Sequence, residues 1–229
     1  MVVVDVLSFT TSVVIAAGRG TELFPCGNAR SGRELADATQ SELAVGRHEQ
    51  DATHPWSLSP ASIATAPSAE RLVLPSPNGS AISAIIAGMG TPVVAACLRN
   101  ATAVAAWLLA HGYGPEAPVG VIAAGEQWLD GSLRPAIEDL FGAGLVLAGL
   151  AGQGAALTPE AIVAARSVAG LTPARVADLV RASTSGIELR VGGYGDDVEL
   201  AVAVDADTTV PVMLAGSRSF RGEVPAGSR

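Results

Sequence analysis

Hydrophobic and polar positions along the chain form two kinds of run. Short runs rich in Val, Leu and Ile predict strands, and longer runs with helical spacing predict helices. The predicted strands are 2–7, 22–26, 43–46, 71–75, 92–97, 118–124 and 208–214, with 198–204 open between strand and helix. The predicted helices are 10–18, 30–40, 79–88, 100–111, 134–151, 159–168, 173–182 and 185–192. This alternation predicts an α/β protein, a three-layer α/β/α architecture with a largely parallel or mixed sheet.

Two stretches interrupt the alternation. Residues 47–69 are polar and rich in Pro and Ser, which predicts a long loop of the kind that often carries function. From 171 onward we expect a C-terminal helical cap with a GGYG turn and the pair Asp196–Asp197, followed by a last strand. We expect one domain over 1–229, with 1–70 and 71–170 as candidate halves.

A shift of 70 residues brings similar segments together and suggests an internal pseudo-repeat. Gly18-Arg-Gly20-Thr21 then falls on Gly88-Met-Gly90-Thr91, and each half has the order strand, polar turn, helix, strand. Chance similarity in a chain rich in Ala, Gly and Val is the alternative. Under this shift the turn after the first strand falls on "SPNGS".

Charge and composition exclude several classes of protein. The net charge of −8 argues against nucleic-acid binding, which needs a basic face. The chain has no Lys, so Schiff-base chemistry and a P-loop lysine are excluded. An anionic substrate would need Arg, backbone N–H groups or a metal. No apolar run reaches the roughly 18–20 residues of a membrane span.

The two cysteines, Cys26 and Cys97, each end an apolar run. We expect two reduced, buried thiols in a cytoplasmic protein, because free Cys is commonly a small core residue. The first residues lack a basic segment, so we expect no signal peptide.

Asp5 stands inside the hydrophobic run "VVVDVL", where an unpaired carboxylate would be costly. It lies too far before the first helix to cap it. One interpretation is a metal ligand or catalytic group at the end of a central strand. The other is a structural hydrogen-bond acceptor for a neighbouring loop.

Two strand-to-helix turns, 8–12 and 75–80, are rich in hydroxyl groups. Helix N-termini beyond the carboxyl ends of strands offer free N–H groups and suit an anion. The alternative is that these Ser, Thr and Asn side chains only cap the helices.

Acidic side chains follow the predicted strand 118–124. Glu126 comes at its end, and Glu138–Asp139 fall in the first turn of a helix that we expect to begin at Arg134–Pro135. The two neighbours point about 100° apart, so one can face a site while the other is solvated. Hard-cation binding and a solvated acidic first turn are both open.

Three further features each have two interpretations, a functional role or a purely structural one. Arg99–Asn100 follows strand 92–97, where it would meet a substrate anion or simply lie on the surface. His48 and His54 lie in the long loop and are either solvent-facing or catalytic. Ser183 caps a helix or closes a site.

These stretches together resemble the 2-phosphosulfolactate phosphatase family. The likeness runs in order through "VVVDVLSFTTS", "PWSLSPASI", "PSPNGS", "CLRNATAVA", "AAGE…AIEDLFGAG" and "STSGIELRVGGYGDDVELAVAVDADTTVPV". The resemblance implies that the protein is a Mg²⁺-dependent phosphatase of α/β/α architecture. Such a phosphatase would hydrolyse a phosphate monoester on a small hydroxy acid.

The resemblance places Asp5 in the family's strand-end Asp position and Glu138–Asp139 in its Glu-Asp pair. We therefore expect catalytic roles for Asp5, Glu138 and Asp139, and metal ligands from Asp5, Glu126 and Asp139. The residues expected to bind the small phosphorylated substrate are Ser8, Thr10, Thr11, Asn78, Gly79, Ser80, Arg99 and Asn100. A homodimer is left open; nucleic acid and membrane are not expected partners.

Two positions depart from the family's pattern. The family commonly has Arg where this chain has Ser8, and its Gly-Asn-Ser-Pro-like element is reduced here to Ser57-Leu58-Ser59-Pro60. Losing an Arg near a phosphate removes a strong bidentate contact. The alternatives are thus a catalytically degenerate anion-binding protein and an enzyme that uses the same pocket on a carboxylate substrate.

Overall fold

The computed structural model describes residues 1–114 and 117–224. Helices and strands alternate along the first two thirds, and helices dominate the rest. The strands are β1 (Val2–Val4), β2 (Glu22–Cys26), β3 (Glu42–Leu43), β4 (Arg71–Pro75), β5 (Val93–Ala96), β6 (Val121–Ala123), β7 (Glu126–Gln127), β8 (Leu133–Arg134), β9 (Val210–Met213) and β10 (Arg221–Glu223). The helices are α1 (Phe9–Gly18), α2 (Ala29–Thr39), α3 (Pro60–Thr65), α4 (Gly79–Gly88), α5 (Ala101–Ala110), α6 (Ile137–Gly152), α7 (Pro159–Arg166), α8 (Pro173–Arg181), α9 (Thr184–Val191) and α10 (Gly195–Ala201).

The main sheet has five strands in the order β10-β9-β5-β1-β6. β1 is parallel to both neighbours, with Val2 opposite Val94 and Val121. β9 runs antiparallel to β5, and β10 antiparallel to β9, so the sheet is mixed. All three residues of β1 are fully buried, as expected for a central strand covered on both faces.

Two layers of helices cover the main sheet. One core cluster packs Val2 and Val4 against Trp107 of α5 and Phe141 of α6. The other packs Val3 against Phe9 and Val13 of α1 on the opposite face. The predicted three-layer α/β/α architecture is confirmed.

A second, parallel sheet of order β2-β4-β3 packs beyond α1. Leu23 and Leu72 from this sheet join the same core cluster as α1, and Phe24 and Val73 on its other face pack beside Ala36 of α2. Nearly every α1 residue is therefore buried, in keeping with a helix that is hydrophobic all round.

The predicted shift of 70 residues is visible in the local structure. α1 spans 9–18 and α4 spans 79–88, and each helix follows a strand and a polar turn. Gly20 and Gly90 after these helices both have positive φ, at 82° and 75°. Glycine adopts such a φ without steric cost, so both chain reversals need it.

Several predicted boundaries were wrong. The first strand ends at Val4, so Asp5 lies beyond the strand and not within it. The segment 198–204, which was open between strand and helix, belongs largely to helix α10. The first turn of α10 carries Asp196 and Asp197, a favourable place for negative charge.

The remaining differences concern short elements. The predicted loop 47–69 contains a 3₁₀ turn at Arg47–Glu49 and helix α3, in which Ser59 caps the first turn and Pro60 begins the helix. The hairpin β7–β8 and edge strand β10 were not predicted; β7 and β8 have two residues each, too few for a periodic signal. Among the described residues, no helix is long and apolar enough to cross a membrane.

Candidate active site

Asp5 sits where the N-termini of α1 and α4 meet. Its Oδ1 accepts a hydrogen bond from the N–H of Phe9 at 3.2 Å, and its Oδ2 accepts one from the N–H of Gly79 at 2.8 Å. Phe9 and Gly79 are the first residues of the two helices and are related by the 70-residue shift. A buried carboxylate here is stabilised by two helix N-termini, where unpaired N–H groups and the dipole favour negative charge. The expectation that Asp5 lies too far before the first helix to cap it was wrong, because its side chain accepts the N–H of the first residue of α1.

Burial still dominates the pKa of Asp5. The side chain is 5% exposed, and loss of solvent raises its pKa above the ordinary value. The two N–H groups and the Arg47 guanidinium oppose this shift, while the neighbouring Glu138 carboxylate adds to it.

Asp139 ties the chain segments after β1 and β6 together. Its Oδ1 accepts from the N–H of Val6 at 2.7 Å, and its Oδ2 accepts from the N–H of Gly125 at 2.8 Å. Burial and the nearby Asp5 charge raise its pKa well above the ordinary value. Since each oxygen already accepts a backbone N–H, Asp139 first of all holds these two segments in place.

Glu138 is buried beside these carboxylates, with 2% of its surface exposed. Its Oε2 has no hydrogen-bond partner among the residues that the structure describes. The expectation that either Glu138 or Asp139 is solvated was wrong, because Gly142 lets α6 approach β1 closely. A Cβ on Gly142 would lie 2.7 Å from Cγ1 of Val4. An unpartnered buried carboxylate oxygen is costly, and a nearby cation would offset that cost.

Glu126 at the start of β7 brings a titratable group to an open cavity. Its Oε2 accepts from Nδ2 of Asn78 at 2.8 Å. Burial, and then the Asp5 charge, raise its pKa to about 7, against the opposing effects of Asn78 and Arg134. Glu126 therefore exchanges a proton near neutral pH.

The cavity of about 610 Å³ lies beyond the carboxyl ends of the parallel strands. Leu7 follows β1, Asn28 follows β2, Arg47 follows β3, Ser76 follows β4 and Glu126 follows β6. Ligands of open α/β sheets bind at this edge. The volume is within the about 300–1,000 Å³ that small-molecule sites have. α9 and Tyr194 close the opposite wall.

Four polar residues of the predicted substrate site lie inside the protein with no exposed surface. Thr10 Oγ1 donates to the carbonyl of Asp5 at 2.7 Å, and Thr11 Oγ1 donates to that of Val6 at 2.7 Å. Ser80 Oγ donates to the Leu74 carbonyl at 3.0 Å, and Asn100 Nδ2 donates to the carbonyls of Ala95 and Thr209. These side chains stabilise the turns around the site and do not reach the cavity.

Arg99 is also placed away from the cavity. Its guanidinium pairs with Asp207 and donates to the Leu200 carbonyl at 2.6 Å, with 13% of the side chain exposed. The expected contact between Arg99 and the substrate is wrong. The N–H donors of Arg99 bond to Asp207 and to the Leu200 carbonyl, and these bonds anchor the C-terminal segment.

The remaining candidate side chains, one Ser, two His and two Cys, differ in their contacts. Ser183 caps α9 by accepting from the Gly186 N–H, which confirms the capping interpretation. His54 is exposed and bonded to Asp51, whereas His48 lines the cavity and contacts Tyr194.

Cys26 and Cys97 are free and buried, as predicted. Burial raises the pKa of the Cys97 thiol to about 11, so it is no nucleophile.

Arg47 is the cavity residue that sequence reasoning missed. It donates from Nε to Oδ2 of Asp197 at 3.1 Å and from a terminal nitrogen to Oγ of Ser8. Its place in the polar loop was the only local signal. The partner Asp197 lies 150 residues further along the chain, beyond the reach of any local pattern.

Asp5, Glu126 and Glu138 form a carboxylate cluster beside the cavity. They supply only carboxylate oxygens, which are ligands that suit a hard cation. In residues 1–114 and 117–224, however, no three His, Cys, Asp or Glu side chains are grouped so that they could hold one metal ion. As these side chains stand, they do not form a ready-made cation site.

Comparisons with known proteins identify the family of the chain. No curated protein matches the chain. The family model described as 2-phosphosulpholactate phosphatase matches residues 1–216, nearly the whole chain. The chain therefore belongs to the 2-phosphosulpholactate phosphatase family, a family of phosphoric monoester hydrolases.

Proposed function

We propose that the protein is a Mg²⁺-dependent phosphatase that hydrolyses a phosphate monoester of a small, 2-phosphosulfolactate-like hydroxy acid. The observation that supports it most is the buried carboxylate cluster next to the cavity-lining Glu126: Asp5 is held by two helix N-termini, Glu138 has an unpartnered Oε2, and the charges of both act on Glu126. Family membership supplies the reaction class.

The cation would be held by Asp5, Glu126 and Glu138. A bound Mg²⁺ would neutralise charge on the phosphate as the ester bond breaks. Asp139, whose oxygens accept the N–H groups of Val6 and Gly125, would position the cluster and is a fourth candidate ligand.

Proton transfer has one candidate among the buried carboxylates, Asp5. Hydrolysis needs a proton taken from the attacking water and one given to the departing alkoxide oxygen. Glu126 lines the cavity with a pKa of about 7 when no cation is bound, so it would lose a proton on holding the cation at neutral pH. Asp5 is the candidate for base or nucleophile, oriented by the N–H groups of Phe9 and Gly79. The absence of Lys argues against the common Asp/Lys type of aspartate phosphatase.

The decisive experiment is phosphate release from a panel of phosphorylated hydroxy acids, with and without Mg²⁺, for wild type and Asp5→Asn. We expect release that requires Mg²⁺ and is lost in the variant. Release by Asp5→Asn within about threefold of wild type would remove Asp5 from the chemistry. Absence of Mg²⁺-dependent release from every ester would favour the degenerate anion-binding alternative that Ser8 raised.

We further propose a cytoplasmic, single-domain protein. The free, buried cysteines suit a reducing compartment. The packing of α1 against strands of both sheets supports one domain. A homodimer stays a prediction, for which sedimentation of the purified protein is the test.

A further inference from the structure

Arg47 projects a guanidinium into the cavity from the 3₁₀ turn after β3. We propose that Arg47 binds the phosphate group of the substrate, and that Asp197 of the C-terminal helices holds it in position. This inference rests on the proposed function and assigns a binding residue within the same site.

Three side chains fix the guanidinium. Nε donates to Oδ2 of Asp197 at 3.1 Å, a terminal nitrogen donates to Oγ of Ser8, and the guanidinium carbon lies 5.5 Å from the centre of the Tyr194 ring. The side chain is only 17% exposed. A long, flexible side chain held this way has already lost the rotamer freedom that anion binding would otherwise cost.

Donors remain for a ligand. A guanidinium carries five N–H donors, and the described contacts of Arg47 use two. Because Arg47 lines the cavity, the others are available to an anion there. A planar guanidinium matches two phosphate oxygens, which a single ammonium group cannot do.

Arg47 pairs with Asp197 through a single N–H donor, Nε. The other carboxylate oxygen of Asp197, Oδ1, accepts from Oγ of Ser59 and from the N–H of Ala61 at 3.1 Å, so the terminal nitrogens of Arg47 are left to other partners. By contrast, Arg134, another cavity cation, is paired in bidentate fashion with Glu188, at 2.8 and 3.4 Å. Arg47 is therefore the better placed of the two for an incoming anion.

Arg47 also reaches the turn after β1. Its terminal nitrogen contacts the Ser8 hydroxyl directly. The Arg47 charge acts on the Asp5 carboxyl, so both groups belong to one electrostatic centre. The loop 47–69 and the GGYGDD segment thus both contribute to the substrate site.

The test measures binding of inorganic phosphate and hydrolysis of the best ester by wild type, Arg47→Gln and Arg47→Lys. We expect Arg47→Gln to weaken phosphate binding roughly 10- to 150-fold, the loss of one charge-assisted hydrogen bond. Phosphate binding by Arg47→Lys should be weaker than in wild type and stronger than in Arg47→Gln, because Lys keeps the charge but lacks the paired donors of the guanidinium. Arg30→Gln is the matched control, because Arg30 is 94% exposed on α2. Arg47→Gln that is folded and binds phosphate like the control overturns the proposal.

A second readout separates positioning by Asp197 from general damage. Asp197→Asn should raise KM more than it lowers kcat in wild type, and add little in the Arg47→Gln background. An equal effect in both backgrounds overturns the positioning role. If wild type releases no phosphate from any ester, the proposed function fails. Loss of phosphate binding in Arg47→Gln alone would still support the Arg47 assignment.

Discussion

Replacing Gly79 with Ala tests whether Asp5 is held as tightly as its contacts indicate. A Cβ at this position would lie 2.6 Å from Oδ2 of Asp5 and 2.7 Å from both Cβ of Asp5 and Cδ1 of Phe9. Asp5 is 5% exposed and Phe9 is fully buried, so neither can swing aside into solvent. The carboxylate must move, and its 2.8 Å bond from the Gly79 N–H must lengthen or break.

The expected cost follows from three contributions. Overpacking a core position costs about 1–3 kcal/mol. Weakening a hydrogen bond to a charged group costs about 1.5–3 kcal/mol. Alanine returns up to about 1 kcal/mol because it favours helix more than glycine does. We expect a net loss of about 2–5 kcal/mol in the free energy of unfolding, and a kcat/KM about 100-fold lower because a displacement near 1 Å misplaces Asp5.

Urea unfolding followed by tryptophan fluorescence measures the first quantity, and phosphate release measures the second. Gly88→Ala is the matched control, since Gly88 is the last residue of the same helix and a Cβ there meets nothing within 4 Å. Gly79→Ala that unfolds at the same urea concentration as Gly88→Ala, with wild-type activity, would refute the tight clamp on Asp5.

Three other expectations test different parts of the site. Arg99→Ala should lose about 1–3 kcal/mol of stability with its partner Asp207, yet keep kcat/KM nearly unchanged; a large loss of kcat/KM at intact stability would return Arg99 to the substrate. Asn78→Ala removes a bond that lowers the pKa of Glu126, so in the protein without Mg²⁺ an NMR titration of this carboxyl should give a pKa above about 7, and a pKa that stays or falls contradicts this. The pKa of Glu126 is about 7 in the folded state against an ordinary 4.5. Between these two values the folded protein holds a proton that the unfolded chain has lost, so stability falls as pH rises from about 4.5 through 7. Mg²⁺ should therefore raise the thermal midpoint more at about pH 8 than at about pH 6, and an equal rise would place the ion away from Glu126.

The sequence predicted the layers, because they depend on local hydrophobic pattern. That pattern left the purpose of Asp5 open between two interpretations, and the family resemblance placed it at the candidate site. The two interpretations of Asp5 proved compatible, since it is a structural acceptor for two helices and lies at the candidate catalytic centre.

What the sequence did not predict depends on distant contacts. Burial of both Glu138 and Asp139 follows from the close approach of α6 to β1 at Gly142, and periodicity does not report such an approach. Thr10, Thr11 and Arg99 have the chemistry of anion ligands, but their donors bond to backbone carbonyls or to Asp207. Residue type alone could not separate them from Arg47, whose role depends on where Asp197 docks.

The double acceptor role of Asp5 has a consequence for local opening. Its two donors, Phe9 and Gly79, begin helices in two chain units 70 residues apart. If either helix undocks, the other keeps a buried carboxylate with one donor missing, which costs free energy in the partly open state. Local opening of one unit therefore favours opening of the other. We expect the amide protons of α1 and α4 to exchange with solvent as one cooperative group, which native-state hydrogen exchange can resolve.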